Sequence, residues 1–69
     1  KMIIKKLDAT HFDIFWGKGW DNWARFRIEY NPENSRKFLR QEKGIEVPKP
    51  VMAELLTRFI KQHNKPVKE

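Results

Sequence analysis

Residues 23–30 are Trp-Ala-Arg-Phe-Arg-Ile-Glu-Tyr, the most regular alternation of apolar and polar side chains in the chain. Successive side chains of a β-strand point to opposite faces, so this stretch predicts a strand with two different surfaces. One surface is apolar and consists of Ala24, Phe26, Ile28 and Tyr30. The other is charged and aromatic and consists of Trp23, Arg25, Arg27 and Glu29.

Further strands are predicted on both sides of this stretch. Residues 10–16 alternate, and residues 36–43 form a strand in which Leu39 is the natural inward residue. Gly and Asn in residues 17–22 and Pro, Asn and Ser in residues 31–35 predict the connecting turns. Met2-Ile3-Ile4 predicts either an edge strand or an ordered arm.

A C-terminal helix is predicted over residues 50–63 because apolar side chains recur there at helical spacing. Strands first and one helix last predict an α+β fold, an antiparallel sheet with the helix on one face. Residues 1–69 then form one domain, and residues 64–69 are expected to be a flexible tail. The apolar stripe is wider than one small sheet face needs, which predicts a homodimer. The expected interface residues are Leu55, Leu56, Phe59 and Ile60.

Composition narrows the functional classes. The chain has 69 residues, no cysteine, and 15 Lys and Arg against 9 Asp and Glu, a net charge of +6. This positive field attracts phosphates, anionic lipids or acidic proteins.

No apolar run approaches the roughly 20 residues of a membrane span, and no signal-peptide pattern occurs. An intracellular protein is therefore expected, with nucleus and cytoplasm both open. His11 and Asp13 share a strand face, but no further ligand or nucleophile has matching spacing, so no metal, cofactor or catalysis is expected.

The predicted outward face combines arginines with aromatic rings. It consists of His11, Phe15, Trp23, Arg25, Arg27, Arg36, Phe38 and Arg40. Unstacked bases stack on aromatic rings and phosphates pair with guanidinium groups, so this pattern favours single-stranded nucleic acid. Composition does not separate DNA from RNA. Two other interpretations stay open: cross-strand pairs that only stabilise the sheet, and a protein-docking face, since Trp and Arg dominate protein interfaces.

The loop Gly17-Lys18-Gly19-Trp20 extends this candidate site. Lys18 could neutralise a phosphate and Trp20 could stack on a base. The two glycines could equally serve only to supply positive φ angles in a turn.

Three short motifs resemble the positive cofactor four family, transcriptional coactivators that bind single-stranded DNA. They are Phe15-Trp16-Gly17-Lys18, then Arg27 and Tyr30 before Asn31-Pro32-Glu33, then Lys43-Gly44-Ile45 before Pro48 and the helix. The resemblance covers roughly residues 10–62 and implies a curved four-stranded antiparallel sheet, one helix and a homodimer.

The resemblance also implies which residues contact DNA: Phe15, Lys18, Arg27 and Tyr30. The alternation independently selects Phe15 and Arg27. It places Tyr30 on the inward face, so a contact from Tyr30 requires a bulge or twist near that position. The expected function is a non-enzymatic protein that binds single-stranded DNA, or melted duplex, with little sequence preference, in transcription or in DNA replication or repair. A regulatory module that binds a polymerase or nuclease, or an RNA-binding protein, is the alternative.

Overall fold

The structure, a computed structural model, describes residues 1–63, with side chains through Gln62. Four antiparallel strands form one sheet in chain order, and a helix follows them. The elements are β1 (Met2–Lys6), β2 (His11–Trp16), β3 (Asn22–Asn31), β4 (Arg36–Gly44) and α1 (Lys49–His63), with a short 3₁₀ turn (Lys18–Trp20) between β2 and β3. The predicted α+β fold is therefore confirmed, and Met2-Ile3-Ile4 belongs to an edge strand. The tail predicted at residues 64–69 lies outside the described residues.

The sheet has an inner face, which α1 packs against, and an outer face. The inner-face core consists of Met2, Phe12, Ile14, Trp16, Ala24, Phe26 and Leu55 from α1. Phe12 and Phe26 are stacked across β2 and β3, with ring centroids 5.9 Å apart and an angle of 15° between the planes. The predicted division of residues 23–30 between two faces is confirmed, because Ala24 and Phe26 are buried while Trp23 and Arg25 are only half-buried.

Local hydrogen bonds close the turn between β1 and β2 and the turn between β3 and β4. In the β1–β2 turn, the Asp8 carboxylate accepts hydrogen bonds from the backbone N–H groups of Thr10 (2.9 Å) and His11 (2.8 Å). In the β3–β4 turn, the Asn31 side chain accepts a hydrogen bond from the Glu33 N–H at 2.9 Å. Short polar side chains that bond to backbone two or three residues ahead are the reason these segments turn.

A β-bulge interrupts the pairing of β3 with β4. Arg25 is opposite Lys43, whereas Phe26 is opposite Gln41, so Glu42 is an extra residue in β4. The Gln41 side chain donates hydrogen bonds to the carbonyls of Lys43 (3.2 Å) and Ile45 (2.9 Å) and secures the bulged end of the strand. The bulge brings Lys43 to the outer face beside Arg25.

The predicted dimer-interface residues divide into two pairs on α1. Leu55 is 1% exposed and Phe59 is also buried, both within their own chain. These two side chains belong to the core and are not free to contact a partner. Leu56 is 42% exposed and Ile60 is 52% exposed. Only this second pair is open to a second copy, and the homodimer itself stays a prediction.

Candidate nucleic-acid interface

The strand register brings the predicted outer-face residues together in rows across the sheet. Phe15 is opposite Trp23, with Ile3 of β1 on the far side of Phe15. Arg27 lies between His11 and Arg40. The next rows pair Glu29 with Phe38 and Asn31 with Arg36. The outer-face residues selected by alternation thus share one surface.

Two arginines lie over aromatic rings on this surface. The Arg25 guanidinium is 5.7 Å from the Trp23 ring centroid, and the Arg40 guanidinium is 5.8 Å from the Phe38 ring centroid. Both distances fall within the range of cation–π attraction. Each pair is a partly exposed cation–π platform, in which a guanidinium lies over a π-surface.

Asp13 of β2 holds Arg25 in a two-pronged ion pair. Arg25 Nε donates to Asp13 Oδ1 at 2.7 Å, and Arg25 Nη2 donates to Asp13 Oδ2 at 3.1 Å. Asp13 is buried, and the hydrogen bond to it raises the pKa of Arg25. Arg25 Nε and Nη2 are therefore bonded to Asp13, while the guanidinium carbon lies over the Trp23 ring.

Glu29 and Glu42 form ion pairs with the other arginines at the centre of the outer face. The Glu29 carboxylate accepts a hydrogen bond from Arg27 Nη2 at 2.5 Å and lies 3.1 Å from Arg40 Nε. Both contacts lower the pKa of Glu29, and the hydrogen bond from Arg27 has the largest effect. Glu42, the bulge residue, lies 3.3 Å from Arg27 Nε and 3.6 Å from His11 Nε2. The middle of the outer face is consequently an ion-paired band, which we define as Asp13, Arg25, Arg27, Glu29 and Glu42.

Other cations near this band have no carboxylate partner. Among the side chains of residues 1–62, no ion pair is formed by Lys5, Lys18, Arg36 or Lys43. Arg36 is near Phe38 on β4, and Lys18 lies in the loop that begins at the Phe15 end of β2. Such a cation can bind a phosphate without first breaking an ion pair within the protein.

The loop after β2 presents Trp20 to solvent. Gly17 and Gly19 have φ values of 92° and 80°, and Trp20 itself has a φ of 59°. The Trp20 N–H closes the turn on the Gly17 carbonyl at 3.1 Å, and its side chain is 42% exposed. The glycines therefore do supply positive φ angles. Trp20 and Lys18 are both exposed beside the Phe15 and Trp23 end of the sheet.

Tyr30 is the one predicted contact residue on the inner face. It pairs with Lys37 in regular register, and the bulge lies five residues away at Arg25/Phe26. The bulge or twist that would turn Tyr30 toward the outer face is absent from this part of β3. Its side chain is 58% exposed.

Sequence alternation places Asp13 and Glu29 on the outer face but does not assign their ion pairs with the arginines. It left Glu42 unassigned, although Glu42 continues the alternation of Arg36, Phe38 and Arg40. Lys43 could not be found in this way, because the bulge changes the alternation just before it.

His11 and Asp13 both lie on the outer face but bond to different partners. His11 Nδ1 is 3.0 Å from Asp8 Oδ1, whereas Asp13 bonds to Arg25. Within the described residues, no group of three or more His, Asp or Glu side chains could hold a metal ion. No helix in residues 1–63 has the length and apolar character that crossing a bilayer requires.

No protein-family model, curated protein or solved structure matches this chain. The likeness to the positive cofactor four family therefore rests on the three motifs between Phe15 and Pro48, and it stays a prediction.

Proposed function

We propose that this chain is a non-enzymatic protein that binds single-stranded DNA on the outer face of its sheet, with little sequence preference. The observation that carries the proposal is the pair of cation–π platforms, Arg25 over Trp23 and Arg40 over Phe38, on the face opposite α1. Base–aromatic stacking contributes about 1–3 kcal/mol per base and tolerates any base. Duplex DNA offers such a face only its phosphates, since its bases are stacked inside.

Charge supports the same partner. The chain carries a net charge of +6, and on the outer face and its loop Lys18, Arg36 and Lys43 form no ion pair with any side chain of residues 1–62. Phosphates bound by these side chains release counterions, so affinity falls as salt rises. The resemblance to single-stranded-DNA-binding coactivators favours DNA over RNA and a role in transcription, replication or repair.

The proposal includes a homodimer. Leu56 and Ile60 stay exposed on α1, and a cavity of about 390 Å³ opens between the helix and the inner face, lined in part by Phe12, Ile28 and Phe59. A small domain with this much uncovered apolar surface gains stability when a second copy covers it. Sedimentation equilibrium measures the expected mass of two chains, and a single-chain mass at high micromolar concentration would exclude the homodimer.

Fluorescence anisotropy with labelled oligo-dT tests the binding proposal. Phe15→Ala is expected to weaken binding because it removes a ring on which a base can stack. Arg27→Ala is expected to weaken binding because it removes a cation paired with the Glu29 and Glu42 carboxylates, so that they repel the phosphates of the strand more strongly. Circular dichroism should be unchanged in both variants. Tyr30→Ala is the matched control, because it removes an exposed aromatic ring from the opposite face. If Phe15→Ala and Arg27→Ala both bind as the parent does, the outer face is not the binding site. A parallel titration with oligo-rU decides between DNA and RNA.

A protein partner is the second candidate. The ion pairs favour it, because Arg25, Arg27 and Arg40 already have carboxylate partners. Trp and Arg are also enriched in the hot spots of protein interfaces. A stoichiometric complex with a polymerase or nuclease subunit, together with no binding to oligonucleotides, would establish this alternative.

A further inference from the structure

The aromatic side chains of the outer face form two separate groups at opposite ends of the sheet. We define the Trp23 group as Phe15, Trp23 and the adjoining Lys18, and the Phe38 group as Arg36, Phe38 and Arg40. Phe38 is opposite Glu29, six residues along β3 from Trp23. At about 3.3 Å per strand residue, the two groups are about 20 Å apart along the sheet.

The ion-paired band extends from the Trp23 group to the row of Phe38, where its Glu29 is opposite Phe38 and 3.1 Å from Arg40 Nε. Its three carboxylates, Asp13, Glu29 and Glu42, repel phosphates and already occupy the guanidinium edges of Arg25 and Arg27. A phosphate that binds in the band must displace a carboxylate, whereas Lys18 and Arg36 at the two ends are free of such partners within residues 1–62.

We propose that a single strand binds this face at two points, with bases stacked on the Trp23 group and on the Phe38 group, while the nucleotides between them cross the ion-paired band without a phosphate contact. The inference rests on the proposed function. At the 3.4 Å rise of a stacked strand, 20 Å corresponds to about six nucleotides, and to fewer in an extended strand.

Two strands with equal numbers of bases and phosphates test the two-point arrangement. Both are about ten nucleotides long, within the usual range of about 4–16 for such sites. The first has two bases, about six nucleotides apart, and abasic sites elsewhere. The second has its two bases on adjacent nucleotides in the middle and abasic sites elsewhere. The first strand reaches both groups, whereas the second reaches only one group at a time.

We expect the first strand to bind about 5- to 150-fold more tightly than the second, the value of one additional stacked base. Phe38→Ala should remove this difference, whereas Lys37→Ala, on the neighbouring residue of the opposite face, should keep it. Equal affinities, or tighter binding of the second strand, would overturn the two-point arrangement while leaving the proposed function intact. If a strand with all its bases present does not bind at all, the proposed function fails and this inference fails with it.

Discussion

Gly44 of β4 lies directly against Ala24 of β3, so closely that a Cβ on Gly44 would stand 2.4 Å from the Ala24 Cα and 2.5 Å from the Trp23 carbonyl oxygen. Gly44 also has a φ of 102°, a backbone conformation that other residues rarely adopt. It ends β4 just after the bulge, and the Ile45 N–H then donates to the Trp23 carbonyl at 3.1 Å. Close packing against β3 thus explains sterically why the Lys43-Gly44-Ile45 motif has a glycine at position 44.

Gly44→Ala is expected to destabilise the domain more than Gly19→Ala. Both positions have positive φ, which costs a side chain about 1–3 kcal/mol. At Gly19 nothing lies within 4 Å of the added Cβ, whereas at Gly44 the β3 backbone must move. Urea denaturation measures both variants. Equal losses of unfolding free energy would mean that the contact with Ala24 carries no steric cost.

Leu55 and Leu56 are neighbours in α1 that should respond differently to truncation. Leu55 is 1% exposed in the core, so Leu55→Ala is expected to lower the free energy of unfolding by about 2–5 kcal/mol. This is a large part of the stability of so small a domain. Leu56→Ala removes an exposed side chain, so the free energy of unfolding of the single chain should change by no more than about 0.5 kcal/mol. Denaturation at low protein concentration measures both effects. A loss at Leu56 as large as that at Leu55 would contradict the orientation of the helix.

Acid should destabilise the domain through Asp8. Hydrogen bonds, chiefly from the Thr10 N–H, lower the pKa of Asp8 from its ordinary value of 3.8 to about 2. A carboxylate with a lowered folded-state pKa contributes stability above its unfolded-state pKa and loses it as pH falls through the folded value. Asp8→Asn should therefore be less stable than the parent at neutral pH, and the difference should shrink between about pH 4 and pH 2.

Thermal unfolding across this pH range measures the Asp8 effect. Asp21→Asn is the control, since the Asp21 carboxylate is exposed and makes no hydrogen bond within residues 1–62. It should follow the parent at every pH. A difference between Asp8→Asn and the parent that is constant from pH 7 to about pH 2 would show that the charge on Asp8 does not contribute.

Periodicity was sufficient to predict the two faces of the sheet, because each strand alternates independently of its neighbours. Phe15, Trp23 and Phe38 were placed together on the outer face in this way. The ion pairs could not be predicted so directly, since Asp13 meets Arg25 only through the register that the Gly17–Trp20 loop sets. The position of Glu42 as an extra residue depends on hydrogen bonds at the edge of the sheet, which no local pattern encodes. Helical spacing likewise did not show which side of the α1 stripe is buried, and only packing distinguishes Leu55 from Leu56.

The salt dependence of binding should distinguish free arginines from paired ones. For single strands, the slope of log affinity against log salt concentration is about 0.7 per phosphate contact. Arg36→Gln removes a guanidinium that makes no ion pair within the described chain, so the slope should become shallower by about 0.7. The double variant Asp13→Asn/Arg25→Gln removes two opposite charges that already neutralise each other, so its slope should equal that of the parent. Anisotropy titrations at several salt concentrations measure both slopes. If the double variant has the shallower slope and Arg36→Gln does not, phosphates bind in the ion-paired band and displace Asp13 from Arg25.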